Sequence, residues 1–191
     1  MRKFLLVLMA LCLAVVPALA ETTEPATVDF GAFTLTFPAE MQGQVAEEIV
    51  ENEAFVTLYQ MDDMEDSFAS NLNVVWNESV VDLAAQDPAA YAQAIVDASV
   101  AMMEQQNVAV ANPTVLGASM DEIGGKAALS MMYSMDVDYT NAGLDLQITL
   151  TFVQGIVSEE GLGTYTFTIS TDNVDGCQPL VDIVNSTVWA E

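Results

Sequence analysis

Between Lys126 and Ser170 the chain alternates apolar and polar residues with a period of two. Leu129, Met131, Tyr133, Met135, Val137 and Tyr139 occupy every second position, with Ser130, Ser134, Asp136 and Asp138 between them. Successive side chains of a strand point to opposite sides, so this pattern predicts a strand with one dry face. After Asn141-Ala142-Gly143 the alternation restarts as Leu144, Leu146, Ile148, Leu150 and Phe152, and Tyr165 to Ser170 repeats it a third time. The three runs predict a meander. Gln154 to Gly163, with three glycines and Glu159-Glu160, reads as the long loop before its last strand.

The rest of the chain can be placed around this meander. Glu21 to Thr27 reads as a flexible linker, and Val28 to Pro38 as two short strands around Gly31. Met41 to Asn52 has weak helical spacing in Val45, Ile49 and Val50. Ala54 to Met61 and Asn71 to Asn77 read as an antiparallel strand pair, joined by the acidic turn Asp62 to Ser67. The clearest helix opens with Asp87 as cap and Pro88 at the first helical position, and ends near Asn107. Tyr91, Ile95, Ala98 and Met102 recur along it at helical spacing and predict its packed face. Pro113 and Gly117 break Val108 to Met120 into an irregular crossing with a strand from Thr114, and Asp121 to Gly125 reads as a turn. A final helix is expected from about Pro179 to Trp189, with Leu180, Ile183, Val184 and Val188 as its apolar stripe.

Helices covering an antiparallel sheet make an α+β class. Four pieces in this order resemble the PsbP/Mog1-like family: Phe33-Thr34-Leu35-Thr36-Phe37-Pro38, Asn71-Leu72-Asn73-Val74-Val75, Gly125-Lys126-Ala127-Ala128, and Tyr165-Thr166-Phe167-Thr168 followed by Ile183-Val184-Asn185-Ser186. The resemblance implies one domain over residues 28–191, an α-β-α sandwich. It also implies a non-catalytic accessory role, since family members bind partners such as a small GTPase or a photosystem. This chain lacks the histidine and nearly all the basic residues of that family, so no functional residue carries over.

Composition adds a compartment and a charge. Arg2-Lys3, the apolar run Phe4 to Val16 and the small residues before Ala20 predict a signal peptide over residues 1–20, cut after Ala20, and hence a secreted protein. A lipoprotein cut at Cys12 would need a small residue where Leu11 stands. No later stretch has the length and apolarity of a membrane anchor. All 28 acidic residues lie after residue 20, against a single base, Lys126. Binding to nucleic acid or anionic surfaces is therefore disfavoured, because phosphate contacts need Lys and Arg. Self-repulsion of this kind favours a monomer or weak association.

Chemistry is narrowed in the same way. The chain has no histidine, which removes Ser-His-Asp and Cys-His catalysis and His-containing zinc sites. A Ser-Lys nucleophile would have to use Lys126, whose place at a strand entrance fits a surface residue better. Cys177 precedes a helix start and, among so many acids, reads as a buried inert thiol. Paired carboxylates are inevitable here, so a small hydrolase ranks last and no catalytic residue is assigned. Asp62, Asp63, Glu65 and Asp66 are the candidate metal ligands, offering hard oxygens to Ca²⁺ in the range of about 10⁻⁴ to 10⁻³ M typical of extracellular modules, with Glu159 and Glu160 as a second acidic loop. No other cofactor is expected. The methionines, among them Met102, Met103, Met131, Met132 and Met135, suit either core filling or an adaptable protein-binding surface. The reading favoured is an exported binding protein with an unknown protein partner, ahead of a low-affinity Ca²⁺ binder.

The acid surplus makes a prediction. Raising NaCl from about 0.01 to about 1 M shortens the screening length from about 30 to about 3 Å and should raise the melting temperature. CaCl₂ should raise it further at matched ionic strength only if a specific site exists.

Overall fold

The structure, a computed structural model, describes residues 25–38, 45–50, 53–59, 68 and 70–190. Ten strands and two α-helices form two antiparallel sheets. The strands are β1 (Ala26–Asp29), β2 (Phe33–Phe37), β3 (Val45–Val50), β4 (Glu53–Tyr59), β5 (Asn71–Asn77), β6 (Ala109–Ile123), β7 (Lys126–Asp138), β8 (Gln147–Glu159), β9 (Gly163–Thr171) and β10 (Val188–Trp189). Helix α1 spans Pro88–Glu104 and α2 spans Gln178–Asn185. The large sheet runs in the order β3-β4-β5-β9-β8-β7-β6, and the small one β1-β2-β10.

The meander forms the centre of the large sheet as its alternation predicts. β7 pairs with β8 from Ala128 opposite Val157 to Asp138 opposite Gln147, and β8 pairs with β9. The odd-numbered residues of β7, from Leu129 to Val137, are buried in one core with Leu150, Phe152 and Ile156 of β8 and Ala92 and Val96 of α1. Tyr133 and Phe152 stack there at 4.9 Å between ring centroids. On the opposite face Leu72, Val74, Ala128, Val157, Phe167 and Ile169 pack against Phe33, Leu35 and Phe37 of the small sheet and Leu180 and Ile183 of α2. The result is an α+β sandwich in which the centre of the large sheet is buried on both sides.

Several sequence expectations are corrected. Val45–Val50, within the span read as helical, is a strand paired residue for residue with β4. Val45, Ile49 and Val50 fit both periods over so short a run, and their β-branched side chains suit a ladder. Ala26 and Thr27, read as linker, open β1 opposite Phe37 and Thr36. β8 continues through Gly155 to Glu159, so the expected loop shrinks to the short connection 160–162. The Cδ1 methyl of Ile123 lies over Gly155, where a Cβ would make it turn aside. β6 is continuous from Ala109, absorbing Pro113 by register shifts between Ala111 and Thr114 and between Val115 and Gly117. Such bulges are how an edge strand tolerates proline.

The helices are corrected in detail. Asp87 caps α1 as expected, its Oδ1 accepting from Ala90 N–H at 2.8 Å, worth about 1 kcal/mol. Its buried face, however, centres on Ala92 and Val96; Tyr91 and Ile95 flank it, and Ala98 and Met102 are exposed. α2 stops at Asn185, where Ser186 takes over as cap, and Val188 is exposed instead of extending the stripe. Trp189 turns back instead, pairing with Phe33 in the small sheet.

That return clamps the β6–β7 turn. The Trp189 indole N–H donates to Ile123 C=O at 2.8 Å, and Lys126 Nζ lies 5.9 Å above the indole ring while pairing with Glu159. Gly124, at φ +60°, leaves no room for a side chain: a Cβ would meet Thr187 O at 2.5 Å and Trp189 Nε1 at 2.8 Å. Gly125, at φ +78°, faces open space. Gly124→Ala should therefore lower the unfolding free energy by about 2–3 kcal/mol, against about 1 kcal/mol for Gly125→Ala, whose cost is backbone strain alone. Denaturant melts of both variants check the difference, and equal losses would refute the clamp.

Candidate functional site

The end of the sheet that carries the β6–β7 turn also holds a groove of about 450 Å³. Residues 79–83 form one bank, tied across the ends of β8 and β9. Val81 N–H donates to Ser158 Oγ at 2.8 Å, Ser158 and Thr164 hydroxyls meet at 2.7 Å, and Thr164 Oγ1 donates to Ser79 C=O at 2.7 Å. Asp82 caps the short 3-10 turn Leu83–Ala85 by accepting from Ala85 N–H at 3.2 Å. Met120 and Ala127 line the opposite side, and Asp82, Glu159 and Glu160 stand around it.

The groove is apolar within and acidic around. Val80 and Met120 are 52% and 44% exposed, and Leu116, four residues before Met120 on the same strand, is 54% exposed. Leu116 falls between Val115 and Gly117, where the ladder slips, so it has no partner residue on β7 and is left outside the core. Asp121 and Glu122 follow Met120 and are exposed. Lys126 is the only cation of the chain's described residues, and its partner is Glu159. The other carboxylates of this end therefore have no ion pair among the described residues.

A second acidic patch lies at the far end of β7, beside a groove of about 540 Å³ between β6, β7 and β8. Asp136 accepts from Thr149 Oγ1 and Asn112 Nδ2, both at 2.7 Å, and these bonds hold its carboxyl below the ordinary carboxylate value. Asp138 is lowered likewise, by Thr140 first and also by Gln147. Asn73, Thr168 and Gln154 stand side by side on the helix-facing side of β5, β9 and β8. Gln154 Nε2 donates to Thr168 Oγ1 at 3.1 Å, while Asn73 Oδ1 and Gln154 Oε1 are buried with no donor among the described residues. Both oxygens are sealed beneath neighbouring atoms, which closes them to a ligand.

Other sequence candidates fall elsewhere. Asp62, Asp63, Glu65 and Asp66 lie outside the described residues, and among the described residues no group of three or more metal-ligating side chains occurs. Glu159, half of the second acidic loop, is at the end of β8 and bound to Lys126. Cys177 is buried at the start of α2, donating to Val174 C=O at 3.1 Å. Burial, and secondarily the Asp175 charge, push its thiol pKa up, away from reactivity. Met131 and Met135 are core, Met132 and Met103 are half-buried, and Met102 is exposed. No helix among the described residues is long and apolar enough to cross a membrane.

Val80, Leu116 and Met120 were not singled out from the sequence. Their only local signal is Leu116 beside Gly117, where a strand-period reading loses its phase. The meeting of Val80 with Met120 depends on residues 79–83 being tied across β8 and β9.

Comparison with known structures places the fold. The chain resembles cyanobacterial PsbP (CyanoP) from Synechocystis, with a TM-score of 0.56 and 14% identity over 93% of this chain and 99% of that one. It also resembles the Ran-binding protein Mog1p of Saccharomyces cerevisiae, with a TM-score of 0.50 and 12% identity over 87% of this chain and 95% of that one. The architecture is thus PsbP/Mog1-like, as the order of elements implied. No protein-family model matches the chain, and no curated protein sequence matches it significantly.

The Asp136 bonds give a pH test. A carboxyl whose folded pKa lies below its unfolded value of 3.8 contributes stability that is complete above that value. The contribution is lost as pH falls through the folded value. Thr149→Val removes the larger lowering bond, so the Asp136 midpoint in an NMR titration should rise toward 3.8. An unchanged midpoint would show that Thr149 does not hold the anion.

Proposed function

We propose that this chain is an exported, non-catalytic accessory protein that works by binding another protein through the β6 side of its sheet. One observation carries the reading: Val80 and Met120 are exposed on one groove, beside the carboxylates of Asp82 and Glu160, which have no ion pair among the described residues, with Leu116 exposed further along the same strand as Met120. Scattered exposed apolar residues need no explanation, but an apolar groove with a polar rim is the composition of a recognition surface. The fold supports the same reading by analogy, since one protein that shares it is described as Ran-binding. The absence of histidine in the sequence limits the catalytic alternatives. Export rests on the leader pattern of residues 1–20, and the partner is expected to meet the protein outside the compartment of synthesis.

The test uses the protein from its native secretions. It should elute from a sizing column as a complex of higher mass than its own chain, with a second component in fixed ratio. The Leu116→Glu, Met120→Glu double variant, whose changes are at exposed positions, should keep its circular dichroism spectrum and lose the complex. Free monomer in every fraction of the unmodified protein would count against the accessory role.

A further inference from the structure

We propose that the open edge of β6 from Gly117 to Ile123 receives an added strand from a basic, extended segment of the partner. This rests on the protein-binding reading and specifies its chemistry. Among the described residues β6 is a terminal strand of the large sheet, and an edge of this kind offers a row of backbone N–H and C=O groups to an incoming chain. The two halves of β6 treat that liability differently. In the first half Asn112 is at φ +51°, Pro113 lacks an N–H, and two register shifts interrupt the ladder. In the second half the register is unbroken from Gly117 opposite Met132 to Ile123 opposite Lys126, and no proline occurs. Gly117, Ser119, Met120, Asp121 and Glu122 are exposed there.

Charge selects the occupant. A sheet edge is commonly guarded by lysine, but this stretch carries only Asp121 and Glu122. The whole chain has a formal charge of −25, so a second copy meeting this edge would bring repulsion. A basic strand would bring attraction instead. The pleat puts Ala118, Met120 and Glu122 on the side of α1, beside the groove with Val80 and Asp82, and Ser119 and Asp121 on the other side. An incoming strand that alternates apolar and basic residues would place apolar side chains against Met120 and basic ones on the side of Asp121. Backbone pairing would supply affinity and the groove would supply selectivity, as in other strand-addition complexes.

The experiment uses isotope-labelled full-length protein and, as probe, a short acetylated and amidated peptide of alternating lysine and valine. Three partner peptides serve as comparisons: one with glutamate for lysine, one with the same side chains and N-methylated backbone amides, and one of lysine and serine. The lysine–valine peptide should slow hydrogen exchange at alternate amides within 117–123, and its affinity should fall as salt rises. The N-methylated and glutamate peptides should each bind at least about tenfold more weakly, as should the lysine–valine peptide to the Asp121→Lys, Glu122→Lys variant. The lysine–serine peptide should also lose affinity, through the missing apolar contact with Met120.

Equal binding of the N-methylated peptide, or protection elsewhere on the chain, would overturn strand addition in favour of diffuse electrostatic attraction. Protection of 117–123 that needs no peptide and grows with protein concentration would overturn it in favour of a second copy. A native complex that forms but leaves these amides exchanging freely would also refute strand addition while leaving the accessory role intact. Loss of any native complex would refute the accessory role itself.

Discussion

Ala128 and Leu129 are neighbours in β7 and both are completely buried. Because consecutive side chains of a strand point to opposite faces, their burial requires cover on both sides of the large sheet at that point. The rest of the architecture meets this requirement. The small sheet and α2 close one face with Phe33, Leu35, Phe37, Leu180 and Ile183, and α1 closes the other with Ala92 and Val96. Each layer is too small to be stable alone, since a short hairpin or an eight-residue helix needs an apolar surface to dock on. The two-sided sheet supplies it.

Covering both faces leaves the edges. β6 leads from the end of α1 into the sheet, and among the described residues only β7 pairs with it. Its bulges and Pro113 interrupt the half that follows α1, while the half leading to the Gly124 turn keeps an unbroken register and is tied at Ile123 by Trp189. The same clamp brings Lys126 to Glu159 and to the indole ring, so the one cation there is occupied internally. Structural need at the turn thus leaves the nearby carboxylates without ion pairs. An acidic surface beside exposed Met120 follows from how the fold uses Lys126, the one lysine among the described residues.

The central meander, the Asp87 cap and the two-strand start were legible because each rests on local physics: alternation, a side chain bonding a free helix N–H, a glycine turn. Errors clustered where local preference was weak or opposed by contacts distant in sequence. Val45–Val50 has a spacing compatible with helix or strand, and only pairing with β4 decides it. Gly155 looks like loop until Ile123 is placed across it, and Trp189 looks like helix until Phe33 is its neighbour. The face of α1 was displaced by one residue because alanine and valine recur on several sides of it, and the sheet chose Ala92 and Val96.

By itself, the sequence determined the α+β class, the alternation of the central strands, the absence of histidine chemistry and the large acid surplus. The last two are properties of composition and persist in any fold the chain adopts; the first two follow from short periods in the residue pattern. Only the tertiary structure decided that Val80 and Met120 share a groove, that Glu159 is taken by Lys126, and that β6 is a terminal strand of the large sheet among the described residues. Those features join residues tens of positions apart, and no local preference encodes them. They arise from which strand lies at the end of the sheet and which segment is tied across it.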